Sequence, residues 1–367
     1  MNILITFLTA KLNTFGGVEK SIFSLKDGLE KNGNNVFVYT SKNDDKLKNF
    51  YYSNYLNCNF DCPENEIDNN IRRIYKEFEF EINNEIENVI LKNKIDYILI
   101  IDQLWGIIPN INFKNVHNVK IGIVYHMTYQ MDLIEKTINM NYNNYYAVSN
   151  DVKNKIIDYT NTTTNIELLP NCYVEEDFNE INNKDENYIF CNSRLADGKG
   201  IENLLNVYAE ISKQYPHLKL YLCGGEFHFG KREKILKYIN EFLTYNPNLI
   251  NNIKILGKLK WNEISKYIKN SKLVVLPTKY ESFGIAALEC IACCKPLITM
   301  NVGNLPDLVE NAGILLEYGD DVQLLNSIIK ILNDKLLIDD LIKNCKRIRQ
   351  KYTSTYVAKL LLDSIER

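Results

Sequence analysis

The stretch Thr278-Lys279-Tyr280-Glu281-Ser282-Phe283-Gly284-Ile285-Ala286-Ala287-Leu288-Glu289 lies where a predicted strand passes into a predicted helix. It follows the apolar, β-branched run 273–277, which ends in proline and is typical of a buried parallel strand. From Gly284 onward the composition changes to helix formers. The pattern therefore predicts Glu281 in a loop and Glu289 about a turn and a half inside the following helix.

The start of that helix has the features of an anion site. The N–H groups of Phe283, Gly284 and Ile285 lie at the positive end of the helix dipole, which suits a phosphate, and glycine allows close approach of the backbone. Glu281 and Glu289 flank this place, and their carboxylates suit the hydroxyls of a sugar attached to the phosphate. The alternative is an ordinary acidic helix start with one solvated glutamate, because acids are common near helix N-termini.

The composition is that of a soluble globular protein, with 46% hydrophobic and 24% charged residues. A length of 367 residues predicts two to three domains. The net charge of −3 gives no support for a general nucleic-acid binder, which usually has a basic stripe. The chain begins without the basic leader of a signal peptide, and no apolar run approaches the ~18 residues of a membrane span. We therefore expect a cytoplasmic protein.

The nine cysteines are odd in number and scattered through apolar segments, which favours reduced thiols in the cytosol. Cys290, Cys293 and Cys294 resemble a metal cluster, but neither a histidine nor a second cysteine pair nearby completes four ligands. Small buried hydrophobic residues on the helix that carries Glu289 are the better explanation, and we expect no metal.

Strands and helices alternate along the chain, which predicts an α/β fold of two doubly wound domains. A strand at 2–8, the Gly16-Gly17 turn, a helix and a strand at 36–39 form a first β-α-β unit. The run 42–62 has no clear assignment, and a long helix is predicted at 64–93. The polar run 175–187 is the predicted linker. We place the first domain at 1–180, the second at 181–350 and a terminal helix at 351–367.

Open α/β sheets bind ligands at the carboxyl ends of their strands, so the loops that follow strands are the candidates for a site. Arg194 and Lys199 lie in such a loop, just before a helix, where they can pair with phosphate oxygens. A surface loop with two solvated cations is the alternative. Gly16-Gly17 holds the same position in the first domain, where an ordinary turn is the alternative to a ligand contact.

Three further loops follow strands. His126 ends the strand 121–126, where it faces a ligand or makes a structural hydrogen bond. The segments 224–226 and 257–259 offer room for a base or ribose, or are plain turns. The chain has no G-x-G-x-x-G or P-loop motif, which counts against a dinucleotide enzyme and an ATPase. It also has no D-x-D pair to share a divalent ion, so Arg194 and Lys199 would have to neutralise a diphosphate.

In this order, these features resemble the retaining glycosyltransferases of family 4, within the glycosyl transferases group 1. The resemblance spans nearly the whole chain and implies the GT-B architecture, two Rossmann-like domains facing a central cleft. Its most specific part is the E-x7-E pair of Glu281 and Glu289 beside Arg194 and Lys199. The other motifs that carry it are Gly16-Gly17-Val18-Glu19, His126, Leu169-Pro170-Asn171, Asn192-Ser193-Arg194-Leu195, Lys199-Gly200, Gly224-Gly225-Glu226 and Gly257.

The resemblance implies a role for each matching residue. Arg194 and Lys199 would bind the diphosphate of a nucleotide sugar, Glu281 the donor sugar, and His126 the sugar near the reacting carbon. The catalytic residues implied are His126, Arg194, Lys199 and Glu281. The donor-binding residues implied are Gly16, Gly17, Ser193, Glu226, Leu259, Ser282, Phe283, Gly284, Ile285 and Glu289, with Glu289 on the ribose and Glu226 and Leu259 beside the base.

The resemblance further implies a UDP-sugar or GDP-sugar donor, transfer with retention, and neither a metal nor another cofactor. The acceptor, a glycan, lipid-linked, protein or small-molecule hydroxyl, would bind on the first domain, and the helix from about Ser354 would return to that domain. Peripheral membrane contact has no support in the sequence. A sugar-nucleotide isomerase or hydrolase and a non-catalytic partner subunit are the alternatives, although a scaffold would not need five such residues.

Three residues depart from the family pattern, because Cys172, Ser193 and Cys294 stand where the family usually has glycine. All three lie in turns or at helix ends. They bring local backbone geometry into question, and not the chemistry.

Overall fold

The computed structural model describes residues 1–7, 16–41, 47–56, 73–101, 118–128, 131–178, 186–224 and 232–367. They form two compact units, Met1–Cys172 with Ser354–Arg367, and Tyr173–Thr353. The observed boundary precedes the predicted one at 180/181 because Tyr173 already belongs to the second unit, where its N–H donates to the Tyr352 carbonyl at 3.0 Å. The return to the first unit comes at Ser354, slightly later than the predicted start of the terminal segment at 351.

The first unit contains a seven-stranded sheet in the order β3-β2-β1-β4-β5-β6-β7, in which all neighbours are parallel. Its strands are β1 (Asn2–Phe7), β2 (Asn35–Thr40), β3 (Phe50–Tyr52), β4 (Tyr97–Ile101), β5 (Lys120–Tyr125), β6 (Asn144–Ala147) and β7 (Ile166–Leu168). Its helices are α1 (Gly17–Lys31), α2 (Glu79–Asn93), α3 (Met131–Ile138), α4 (Asn150–Thr160) and, at the C-terminus, α12 (Ser354–Glu366).

Periodic burial explains these elements. In α1 the side chains of Ile22, Leu25 and Leu29 recur at helical spacing and are buried against the sheet. Ser149 caps α4, because its hydroxyl accepts from the Val152 N–H at 3.2 Å. Strand β3 falls in the run 42–62 that has no assignment from sequence, since its three residues are only half-buried. Of the predicted helix at 64–93, residues 64–72 lie outside the described residues.

Helix α12 packs on α1 through a close contact at Gly28. A Cβ on Gly28 would lie 1.9 Å from the Ser354 carbonyl oxygen, so only glycine permits this approach. The Ser354 hydroxyl donates to Asp27 at 2.7 Å, and further along α12 the hydroxyls of Ser364 and Tyr146 are 2.9 Å apart. These contacts hold the end of the chain on the first unit.

The second unit contains a six-stranded parallel sheet in the order β10-β9-β8-β11-β12-β13. Its strands are β8 (Tyr188–Asn192), β9 (Lys219–Cys223), β10 (Ile253–Gly257), β11 (Leu273–Leu276), β12 (Leu297–Met300) and β13 (Ile314–Leu316). Its helices are α5 (Ile201–Gln214), α6 (Arg232–Tyr245), α7 (Trp261–Asn270), α8 (Ile285–Ala292), α9 (Leu305–Val309), α10 (Asp321–Asn333) and α11 (Lys335–Ile348), with 3-10 turns at Glu175–Phe178, Pro247–Leu249 and Arg349–Tyr352.

The predicted α/β fold with two doubly wound parallel sheets is confirmed. In each sheet the strand order reverses once, between β1 and β4 in the first and between β8 and β11 in the second. Ligands of such sheets bind outside the carboxyl ends of the strands at this switch point. In the second unit that place is where the loops after β8 and β11 meet.

Candidate active site

The loops after β8 and β11 are adjacent because these two strands are neighbours in the second sheet. The first loop carries Arg194 and Lys199, and the second carries Glu281. Their backbones are joined directly, since the N–H of Lys279 donates to the Gly198 carbonyl at 2.7 Å. Gly200 makes the approach possible: its φ is +67°, and a Cβ there would lie 2.0 Å from the Pro277 carbonyl oxygen.

Lys199 connects the two loops through its ammonium group. Its Nζ donates to Glu281 Oε2 at 3.0 Å and to Thr278 Oγ1 at 3.2 Å, with the Tyr280 carbonyl at 3.5 Å. The Lys199 and Glu281 side chains are 16% and 25% exposed, so the ion pair is partly shielded from water and still open to a ligand. The structure thus brings together two of the predicted catalytic residues.

Glu289 lies inside α8 and is buried, and Glu281 lies in the loop before the helix, as the sequence predicts. The side-chain amide of Asn192 donates to Glu289 Oε2 at 2.7 Å. This bond orients the carboxylate at the end of β8. Asn192 is not among the predicted site residues, although it stands at the end of a strand, where the other candidates were found.

The loop from Glu281 to Phe283 is held by the segment after β12, which the sequence does not single out. A Cβ on Gly303, whose φ is +53°, would lie 1.7 Å from the Glu281 carbonyl oxygen. The buried side-chain amide of Asn304 donates to the Phe283 carbonyl at 3.1 Å. Gly303 and Asn304 follow a strand, and that position is the only signal that could have indicated them.

Gly284 is the N-cap of α8 and has a left-handed backbone, with φ +99° and ψ +53°. A Cβ on Gly284 would also lie 2.6 Å from Leu305 Cδ2. Glycine is therefore needed here for two reasons, conformation and space. The first N–H groups of α8, from Ile285 onward, have no acceptor within the helix and provide the positive end of its dipole beside Lys199.

The remaining predicted residues of this unit lie around the same edge. Arg194 is exposed, and Ser193, Ser282 and Leu259 are half-buried. Ser193 donates its N–H to the Cys223 carbonyl at 3.0 Å, and the N–H of Gly224 donates to the Gly257 carbonyl at 3.0 Å, so the loops after β8, β9 and β10 are linked. Glu226 lies outside the described residues.

The matches to known proteins agree with this geometry. Residues 174–350 match the model of the family described as Glycosyl transferases group 1. The second unit is a glycosyl transferases group 1 domain. The predicted resemblance is thereby confirmed for the part of the chain that carries Arg194, Lys199, Glu281 and Glu289.

One relative by sequence is an uncharacterized glycosyltransferase of Methanocaldococcus jannaschii. It is 30% identical over 122 residues, which are 33% of this chain and 34% of the relative. The aligned stretches cover less than half the length of the first curated relatives. Sucrose-phosphate synthase from Thermosynechococcus elongatus is a structural relative, with a TM-score of 0.81 at 19% identity over 100% of this chain and 98% of that one.

A second structural relative is Anabaena HepE, solved in complex with UDP and glucose, with a TM-score of 0.74 at 16% identity over 99% of both chains. At these identities the likeness shows the fold alone. The chain has the GT-B fold, as the sequence predicts. No helix in the described ranges is long and apolar enough to cross a membrane.

In the first unit, outside the group 1 domain, His126 follows the last residue of β5 directly and is 5% exposed. Burial lowers its pKa from 6.5 to about 4, so the imidazole is neutral near pH 7. Its Nε2 atom is buried and has no hydrogen-bond partner in the part of the chain that the structure describes. His126 therefore has an unused hydrogen-bonding position at the carboxyl edge of the first sheet.

Gly16 and Gly17 begin α1 in the first unit. The φ of Gly16 is an ordinary −81°, but a Cβ there would lie 2.0 Å from Glu19 Oε2. The space that glycine provides is thus taken by a carboxylate of the protein itself. The close approach predicted for a ligand at Gly16 is, in this structure, an approach of Glu19.

The cysteines of the group 1 domain are buried thiols. Cys290 Sγ donates to the Ala286 carbonyl at 3.1 Å, and burial raises the pKa of Cys290 and of Cys293. Cys294 contacts the Arg349 guanidinium at 3.6 Å and has a φ of +52°. Of the three departures from the family pattern, Cys294 alone has the left-handed backbone that glycine favours.

Proposed function

We propose that this protein is a retaining glycosyltransferase that transfers a sugar from a nucleotide diphosphate sugar to an acceptor hydroxyl. The observation that carries the proposal is the contact of Lys199 with Glu281 at 3.0 Å within the group 1 domain. A cation suited to a diphosphate and a carboxylate suited to sugar hydroxyls are thus held side by side at the switch point of a parallel sheet.

The diphosphate is assigned to Arg194, Lys199 and the amides at the start of α8. Arg194 is exposed, and its guanidinium can bind two phosphate oxygens at once. The N–H groups from Phe283 to Ile285 add the positive end of the helix dipole. These donors would stabilise the charge that develops on the leaving diphosphate.

The donor sugar is assigned to Glu281 and His126. Glu281 uses Oε2 on Lys199, and its Oε1 has no donor among the described residues, so that oxygen can accept from a sugar hydroxyl. The buried Nε2 of His126 would gain a partner from another hydroxyl, which removes a cost of about 1–3 kcal/mol for an unsatisfied polar group.

The nucleoside is assigned to Glu289 and the loops beside it. Asn192 donates to Glu289 Oε2 at 2.7 Å and orients this carboxylate, whose oxygens are acceptors suited to ribose hydroxyls. Ser193, Glu226 and Leu259 would border the ribose and base, and Gly17 the phosphates. We expect a UDP-sugar before a GDP-sugar, because a protein of the same fold, HepE, is solved with UDP and glucose.

In the proposed reaction the bond between the anomeric carbon and the phosphate oxygen breaks, and the acceptor oxygen bonds to the same face of that carbon. The acceptor proton passes to the departing phosphate oxygen. No separate general base is then needed. This suits the proposed site, because His126, its one imidazole, has a pKa lowered to about 4 and is therefore a weak base. Arg194 and Lys199 supply the positive charge, and we propose that no metal takes part.

Calorimetric titration of the chain with UDP, GDP, ADP and their sugars tests the donor first. We expect one nucleoside diphosphate and its sugar to bind, with the same affinity in EDTA as with Mn²⁺. With that donor and a panel of acceptors, proton NMR of the product gives the anomeric configuration. Product of inverted configuration would contradict retention, and binding of none of these nucleotides would contradict the donor class.

A further inference from the structure

All the hydrogen-bonding capacity of the Lys199 ammonium is used within the described residues. The group has three N–H donors. They meet Glu281 Oε2 at 3.0 Å, Thr278 Oγ1 at 3.2 Å and the Tyr280 carbonyl at 3.5 Å. A phosphate oxygen can bind Lys199 only if one of these contacts opens, and the contact at 3.5 Å is the weakest because hydrogen bonds weaken with distance.

Thr278 links the Lys199 ammonium to the backbone that precedes Glu281. Because an ammonium cannot accept, the Thr278 hydroxyl accepts from Lys199 and gives its single proton to the Tyr280 carbonyl, at 2.9 Å. The residue is 4% exposed, so water does not compete for this hydroxyl. Thr278 therefore fixes both the ammonium and the peptide group that immediately precedes Glu281.

We propose that Thr278 is a positioning residue, which holds Lys199 so that Lys199 in turn orients the Glu281 carboxylate toward the donor sugar. The inference rests on the proposed function. A phosphate oxygen replaces the Tyr280 carbonyl at Lys199, which keeps its bonds to Thr278 and Glu281. The Tyr280 carbonyl keeps its bond from the Thr278 hydroxyl, so no backbone acceptor is left unpaired by the exchange. One cation then serves the diphosphate and the sugar-binding carboxylate at the same time.

The variant Thr278→Val removes the hydroxyl and keeps the shape of the side chain. We expect it to weaken binding of UDP-glucose about tenfold, the effect of one lost hydrogen bond to a charged group, with UDP affinity changed less than about twofold. Thr278→Ser should restore the parent affinity for UDP-glucose. Calorimetry gives both constants, with GDP and GDP-mannose as the probes if the parent binds those instead.

Thr299→Val is the matched control. Thr299 is a buried threonine on the neighbouring strand β12, and its hydroxyl donates to the Leu276 carbonyl at 2.8 Å. Loss of the Thr299 hydroxyl should lower stability without changing the difference in binding affinity between UDP and UDP-glucose. If Thr278→Val does not fold, Thr278→Ala leaves more room for rearrangement and carries the same expectation.

A double-mutant cycle with Glu281→Gln decides whether Thr278 acts through the carboxylate. We expect Thr278→Val to cause no further loss of UDP-glucose affinity in the Glu281→Gln background. Equal losses in both backgrounds, equal losses for UDP and UDP-glucose, or the same loss in Thr299→Val would overturn the inference and leave the proposed function standing. A parent chain that binds neither nucleotide pair would overturn both.

Discussion

The carboxyl edges of the two sheets hold their functional groups in opposite ways. In the second unit Lys199, Glu281 and Glu289 are each bonded to another side chain of the protein, at distances of 2.7 to 3.2 Å. In the first unit His126 is buried and neutral, and its Nε2 has no partner in the residues that the structure describes. At the edge of the second unit all three donors of Lys199 are used by acceptors of the protein itself, whereas at the edge of the first unit His126 Nε2 has no described partner.

This difference determines what a ligand must do at each edge. A diphosphate that binds Lys199 exchanges one contact for another, so the gain in free energy is the difference between two bonds. A hydroxyl that binds His126 replaces nothing, and the imidazole gains a bond at no cost to another group. The edge of the first unit, with His126, is therefore suited to selecting ligands that bring a hydroxyl. The edge of the second unit, with Lys199, is suited to electrostatic attraction that is already organised.

The largest effect is expected at the one predicted cation that is exposed. Arg194→Ala removes the guanidinium that we propose to stabilise the charge on the leaving diphosphate, and we expect a loss on the order of 10²- to 10³-fold in turnover of the nucleotide sugar that the parent uses. The fold should be unchanged, as circular dichroism would show. Arg347→Ala is the control, because Arg347 is exposed on α11 and paired with Glu310. Turnover within about a factor of two of the parent would remove Arg194 from the leaving-group role.

A somewhat smaller effect is expected from His126, and it depends on pH. The folded pKa is about 4 and the reference value 6.5, so between these values the unfolded chain binds a proton that the folded chain does not. Stability is thus highest above pH 6.5 and falls as the pH drops toward about 4, by an amount on the order of 3 kcal/mol from this residue.

His126→Gln lacks this titration. Urea unfolding of parent and variant at several values between pH 7 and pH 4 gives the difference in unfolding free energy, which should shift in favour of the variant as the pH falls. Carboxylates titrate alike in both proteins and cancel in the difference. A difference that stays constant with pH would mean that His126 is accessible to protons in the folded state, and the contrast between the two edges would disappear.

The sequence is sufficient to predict this contrast only in part. Strands β5, β8 and β11 are short runs of mostly buried apolar residues, and their ends show where Arg194, Lys199, Glu281 and His126 would lie. Helix α8 with Glu289, and Glu281 in the loop before it, are also local patterns. Strand β3 could not be predicted, because three half-buried residues have no distinctive periodicity.

What could not be predicted depends on which strands are neighbours. The bond from Asn192 to Glu289 joins the end of β8 to α8, and the bond from Lys199 to Thr278 joins the loops after β8 and β11. Neither Asn192 and Glu289 nor Lys199 and Thr278 are close in sequence. At Gly16 the glycine indicates a lack of room for a Cβ, but the sequence does not show which group occupies that space. In the structure it is the Glu19 carboxylate.

The smallest effects distinguish two glycines of the second unit that share a left-handed backbone. Gly303 has φ +53° and Gly319 has φ +89°, so alanine is strained at both by about 1 kcal/mol. A Cβ at 319 meets nothing within 4 Å, whereas a Cβ at 303 would lie 1.7 Å from the Glu281 carbonyl oxygen. Gly319→Ala should therefore cost about 1 kcal/mol in chemical unfolding, and Gly303→Ala at least about 2 kcal/mol.

Gly303 also connects the comparison of the two edges to ligand binding. Because the new methyl group of Gly303→Ala displaces the peptide of Glu281, this variant should weaken the binding of UDP-glucose more than that of UDP. Gly319→Ala should weaken the binding of neither. His126 lies in the other unit, so the pH dependence of stability from His126 should be the same in both variants. Equal stability losses at 303 and 319 would mean that the loop yields readily, and the second edge would then be less rigid than its hydrogen bonds indicate.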